Sequence, residues 1–170
     1  MSPSPFIFEW IARCAAGRST RGRALDVAMG RGRHAVRLAQ AGFRTFGVDI
    51  AFDAVRDAVA AAAAEGAVVN GWCADLTQHP LPAERFDLVV VSRYLQRDLF
   101  EALRAACAPG GVVLYETFTT AQRAFGTGPR SPDHLLEPGE LRERFRGFDE
   151  LFYEETASPE AVARIAARRR

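Results

Sequence analysis

Asp26 and Asp49 each close a short apolar run, and between them lies Gly30-Arg31-Gly32-Arg33-His34. The order is strand, carboxylate, glycine turn, helix, second strand, second carboxylate. That order offers a nucleoside-like ligand two things. The N–H groups of a glycine turn can approach it closely, and the second carboxylate can accept both hydroxyl donors of a ribose. With Ala35 as a third small residue, the turn formally fits the dinucleotide pattern, by itself a weak signal. The first carboxylate separates the possible ligands. A pyrophosphate on the helix N-terminus would lie close to Asp26, and two unit charges about 6 Å apart repel by roughly 3 kcal/mol at an effective dielectric of about 20. A ligand with adenine and ribose but no phosphate, and with ammonium and sulfonium charges, gains from the same carboxylate. S-adenosylmethionine (SAM) has that chemistry and is the expected cofactor. An NAD-dependent reductase is disfavoured by Asp26 and by the lack of a Tyr-x-x-x-Lys pair.

The elements that must hold these residues alternate along the chain. Pro5 opens an amphipathic helix stopped by Gly17, an N-terminal unit over residues 1–17. Strands are expected over 24–28, 44–49, 67–73, 86–91 and 112–115, with helices over 33–40, 52–65 and 97–108. A further short helix opens at Pro138-Gly139-Glu140, and the last two strands, 148–154 and 161–167, form a hairpin. The pattern predicts an α/β, doubly wound, mostly parallel seven-stranded sheet with one antiparallel strand near the C-terminus. Ligands bind outside the carboxyl ends of such strands, so the residues to watch are Ala28 to His34, Asp49-Ile50, Asp75-Leu76, Ser92 to Arg97, and Glu116 onward. Residues 119–138 are longer than an ordinary connection and are expected to act as a lid.

Composition narrows the function classes. The 170 residues suit a single domain, 48% hydrophobic and 25% charged, with a formal net charge of +1. That balance offers no general attraction to nucleic acid or to an anionic membrane. The chain has no lysine, which excludes Schiff-base chemistry and a lysine base. Cys14, Cys73 and Cys107 are scattered, without metal-ligand spacing, as in a reduced cytoplasmic protein; no metal is expected. Glu9 interrupts the apolar start of the chain, which does not read as a signal peptide. The Arg18-Arg21-Arg23 and Arg168-Arg169-Arg170 clusters read as solvated ends.

Taken in order, Leu25-Asp26-Val27-Ala28-Met29-Gly30-Arg31-Gly32, Asp49, Asp75-Leu76, Phe86-Asp87-Leu88-Val89-Val90 and Pro109-Gly110-Gly111 resemble the motifs of the class I SAM-dependent methyltransferases. The resemblance runs over nearly the whole chain. Arg33-His34 and the 135–141 segment are similar to the small tellurite-resistance-like members. It implies a Rossmann-like fold and a direct, in-line methyl transfer to a small-molecule acceptor. The alternative is a non-catalytic SAM-binding regulator or partner subunit. Implied cofactor contacts are Asp26, Ala28, Gly30, Gly32, Arg33, Asp49, Ile50, Asp75, Leu76 and Ser92. Tyr94, Glu116 and His34 are the catalytic candidates, and Arg97 and Arg130 would meet substrate, which suits an anionic acceptor. Two departures stand out. Ala28 replaces the usual first glycine, acceptable if φ there stays negative. Met29 is bulky, but flexible enough to pack beneath the loop.

Overall fold

The computed structural model describes residues 4–16 and 22–170. Gly17 as helix stop, and Arg18 and Arg21, lie outside the described residues. Helix α1 (Pro5–Ala15) begins at Ser4, whose side chain accepts the Ile7 N–H, with proline at its first turn. Strands β1 (Arg23–Val27) and β2 (Arg44–Asp49) flank α2 (Arg33–Gln40), and α3 (Phe52–Ala64) leads to β3 (Val69–Cys73). Then follow β4 (Phe86–Ser92), α4 (Phe100–Ala106), β5 (Cys107–Phe118), α5 (Glu140–Arg144), β6 (Asp149–Ala157) and β7 (Ala161–Arg168).

The sheet runs β3-β2-β1-β4-β5-β7-β6, and β7 alone opposes the others. The strand order reverses between β1 and β4, which opens a crevice at their carboxyl ends. β4 and β1 read as near-continuous apolar runs because both faces are covered. On one face Leu88, Val90 and Leu114 pack against Phe6, Ile7 and Ile11 of α1. On the other, Val89, Val91 and Tyr115 pack against Phe100, Leu103 and Phe145.

Three spans differ most from the expected ones. The helix begun at Arg97 is a short 3₁₀ turn, Arg97–Leu99, before α4, and α4 stops at Ala106. Pro109 ahead disfavours helical geometry in the residue before it. β5 is longer than 112–115, because β7 pairs with it from Val112 to Phe118. Residues 119–138 are not a bare loop. They hold 3₁₀ turns at Thr120–Phe125 and Pro132–His134, and a bridge joins Thr119 to Leu136.

Candidate functional site

The glycine turn is built by three consecutive needs. Ala28 stands at φ +53°, so the expectation of a negative φ is corrected; an L-residue there costs about 1–2 kcal/mol. Met29 turns under the loop, buried against the β2–β3 floor. A Cβ on Gly47 would lie 2.1 Å from its Sδ, so Gly47 is what makes room for Met29. Gly32 caps α2 at φ +78°, and a Cβ there would lie 2.7 Å from the Ala58 Cβ of α3. Gly32 therefore sets the α2–α3 spacing. Gly30 donates its N–H to Asp49 Oδ2 at 2.8 Å, and Ala51 donates to Oδ1 at 3.0 Å. Both oxygens keep lone pairs for a further donor.

Asp49 is one wall of a cavity of about 460 Å³ at the carboxyl ends of β1 to β4. Ala28, Ile50, Asp75 and Leu76 line it, as the sequence predicts, and so does Tyr94. Asp75 Oδ1 accepts the Thr77 N–H and hydroxyl, which holds its carboxyl below the usual range. The Tyr94 phenol is pushed up by burial and by the nearby Asp75, Asp98 and Asp49 charges, and it donates to Gln96. It can serve as a donor rather than a base.

Asp26 lies near the end of β1, just before the glycine turn, and is 1% exposed. Burial raises its carboxyl to about 7, although the Ala35 N–H and the Arg33 charge oppose the shift. Its Oδ2 has no hydrogen-bond partner among the described residues. A buried, unsatisfied carboxyl oxygen is costly, and a cationic ligand group would satisfy it. Arg33 donates to the Ser92 hydroxyl at 3.1 Å, which ties the glycine turn to the end of β4. Arg31 instead lies toward Asp57 and solvent.

A polar row extends from there. Strand register sets Ser92 beside Glu116, Glu116 beside Arg164, and Arg164 beside Glu154. Arg164 bonds Glu116 Oε2 at 2.6 Å and Glu154 at 2.9 Å. Glu116 is buried, and its Oε1 is the other orphaned oxygen. Arg93, left-handed at φ +56°, pairs with Glu160 and covers the Phe118 ring at 4.6 Å. Glu160 and Arg164 are absent from the sequence-based set, and Arg93 had no role assigned within it. Arg93 had a signal, its place directly after β4; Glu160 and Arg164 arrive through non-local pairing that no local pattern announces.

Two expected roles are corrected. His34 is buried and its Nε2 accepts the Ser4 N–H at 3.0 Å, while burial and the Arg33 and Arg93 charges press it down to about 3. It tethers α1 to α2 and is no proton acceptor for a substrate. Arg97 makes a two-pronged pair with Glu140, both bonds 2.8 Å, and also holds the Pro132 and Leu135 carbonyls. It clasps segment 119–138 and has no fork left for substrate. The concavity of about 980 Å³ around that pair is a basin whose arginines are occupied internally. Arg130 sits exposed on the segment, with one long 3.4 Å bond to the Gly126 carbonyl. Among the described residues no group of histidine, cysteine and carboxylate side chains could hold a metal.

The profile of the methyltransferase domain family matches residues 24–111, from the start of β1 to the turn before the paired part of β5. The chain belongs to the methyltransferase domain family. Its fold is that of the class I SAM-dependent methyltransferases. The solved structure of a SAM-dependent methyltransferase from Mesorhizobium loti is 22% identical and matches 95% of this chain and 98% of its own, with a TM-score of 0.72. TehB from Haemophilus influenzae is 16% identical, matching 94% of this chain and 61% of its own at a TM-score of 0.76. Magnesium protoporphyrin IX methyltransferase from Synechocystis PCC 6803, solved with bound S-adenosylhomocysteine, is 19% identical over 96% of this chain and 82% of its own, with a TM-score of 0.74. At these identities the likeness is one of fold. No curated protein sequence matches the chain significantly. Among the described residues, no helix of this methyltransferase is long and apolar enough to cross a membrane.

Proposed function

We propose that this methyltransferase methylates a small-molecule acceptor by direct in-line transfer. The observation that carries the reading is the pairing of a carboxylate-walled cavity, with Asp49 and Asp75, and an orphaned buried Asp26 oxygen beside the glycine turn. These residues fit the cofactor's chemistry. Asp49 would accept the ribose hydroxyls, Asp75 the adenine amino group, and Asp26 the ammonium, with Ile50 and Leu76 against the adenine faces. Arg33, fixed by Ser92, stands where it would meet the carboxylate of the methionine part. When bound, SAM supplies an electrophilic methyl group whose leaving group is a neutral thioether.

The protein's task is then to orient the acceptor and exclude water. Tyr94 lines the cavity as a hydrogen-bond donor, and Glu116 contributes a carboxylate oxygen in the polar row. Either would orient an acceptor, and Glu116 would take its proton. No covalent enzyme intermediate is needed, in keeping with a chain that lacks lysine. Cover for the acceptor would come from α1 and segment 119–138, which favours a small molecule. Arg130, exposed on that segment, would meet an anionic acceptor group.

A screen for S-adenosylhomocysteine release with phenols, amines, thiols, carboxylates and oxyanions tests this reading. Release with a small acceptor is expected. Release with protein or nucleic acid alone would contradict it.

A further inference from the structure

The opposite rim of the sheet carries a second concavity. Arg23 and Arg44 begin β1 and β2, and Arg85 directly precedes β4, so these guanidiniums gather where the parallel strands start. No helix forms between β3 and β4. Among the described residues that part of the sheet face is covered by the 74–85 connection alone, whose Pro80 and Pro82 form an outer wall. Beneath them Phe46 and Trp72 stay half-buried, although parallel sheets are normally covered on both faces. The space enclosed is about 460 Å³, as large as the cavity at the other rim.

Charge says what this space suits. Arg93, Arg97, Arg142, Arg164, Arg169 and Arg170 all sit in ion pairs. Among the described residues no ion pair engages the Arg44 or Arg85 side chain, and one carboxylate, Asp87, adjoins the rim, accepting the Arg23 backbone N–H at 2.8 Å. Arg44 lies over the Phe46 ring at 5.4 Å, and Phe46 meets Phe86 edge-on at 5.8 Å. Three guanidiniums against one carboxylate leave the rim net positive over an aromatic floor, which favours an anion.

We propose that this groove binds a small planar aromatic anion. The ring would lie against Trp72 and Phe46, and its carboxylate or phosphate would be held by the guanidinium forks of Arg23, Arg44 and Arg85. The site is distinct from the methyl-transfer site. Five strand residues, roughly 17 Å at about 3.3 Å each, separate the start of a strand from its carboxyl end. A ligand here is an effector or an anchor, not the methyl acceptor.

Calorimetric titration of the protein saturated with S-adenosylhomocysteine tests the proposal, using 2-naphthoate and its uncharged relative 2-naphthamide. One site is expected for naphthoate, at least tenfold tighter than for the amide at low salt. The variant Arg44→Gln/Arg85→Gln should lose at least tenfold in naphthoate affinity and keep its affinity for S-adenosylhomocysteine. Trp72 reports the same event, because in a Trp10→Phe background it is the sole indole and its emission should change on binding. Absence of naphthoate binding, equal affinity for the two probes, or full affinity in the arginine variant would each overturn the site.

Discussion

Asp26 shows how a single buried carboxyl links cofactor binding to stability. An unfolded aspartate titrates near 3.9, whereas burial holds Asp26 at about 7 in the folded chain. Between those values the folded state keeps a proton that the unfolded state has released. Unfolding free energy therefore falls as pH rises, by up to roughly 1.4 kcal/mol per pH unit from this group, and the full penalty stands above about pH 7. Asp26→Asn cannot ionise, so it should flatten that slope and exceed the parent in stability at pH 8. It should also lose at least tenfold in S-adenosylhomocysteine affinity. Denaturant unfolding at pH 5 and pH 8, with a binding titration at each, checks both; an unchanged slope would mean that Asp26 is hydrated. In the parent, affinity should climb as pH approaches 7 and level off above it, because an ammonium ligand selects the carboxylate. Asp49 and Asp75 were legible in the sequence because each lies at or just after a strand's carboxyl end, where topology leaves a side chain at the crevice. Asp26 was singled out by its place before the glycine turn. His34 was misread for a related reason: its place beside the glycine turn says nothing about which way the ring faces, and it faces α1.

At the scale of elements, spacing between helices decides which glycines matter. Gly30 and Gly32 both have positive φ, but a Cβ on Gly30 meets nothing within 4 Å whereas one on Gly32 strikes Ala58. Gly30→Ala should cost about 1–2 kcal/mol from backbone strain alone. Gly32→Ala should add an overpacking cost of about 1–3 kcal/mol and push α2 from α3. Denaturation of the two variants compares them directly, and equal losses would contradict the packing argument. The Arg97–Glu140 clasp governs segment 119–138 in a similar way. Its arginine partner holds the Glu140 carboxyl down at about 2, so its stabilisation is present above about pH 4.3 and is lost as pH falls toward 2. Arg97→Ala should speed tryptic cutting at Arg123 and Arg130 several-fold and lower turnover more than cofactor affinity. Arg97→Lys should not restore the clasp, because one ammonium cannot replace a two-pronged fork. Cutting at the parental rate would show that the bridge from Thr119 to Leu136 suffices. The clasp escaped sequence reading because its partners lie 43 residues apart. The strands were legible because their apolar runs match a sheet covered on both faces.

For the whole molecule, strand order does what no residue does alone. The reversal between β1 and β4 opens the crevice, β7 carries Arg164 to Glu116, and the missing helix between β3 and β4 leaves the opposite rim open. The alternation of strands and helices made the doubly wound sheet readable. The Ser92–Glu116–Arg164 row depended on register between distant segments and was not. On the proposed reading, Asp26 and Asp49 frame a site for an adenosyl sulfonium ligand and not for a dinucleotide. Calorimetric titration with S-adenosylhomocysteine and with NAD tests it most directly, with Asp49→Ala beside the parent. Micromolar S-adenosylhomocysteine binding, about 8 kcal/mol, is expected, with no NAD binding, and with a loss of roughly 2 kcal/mol or more in a variant that still folds. NAD binding without S-adenosylhomocysteine binding, or an Asp49→Ala variant with unchanged affinity, would contradict it.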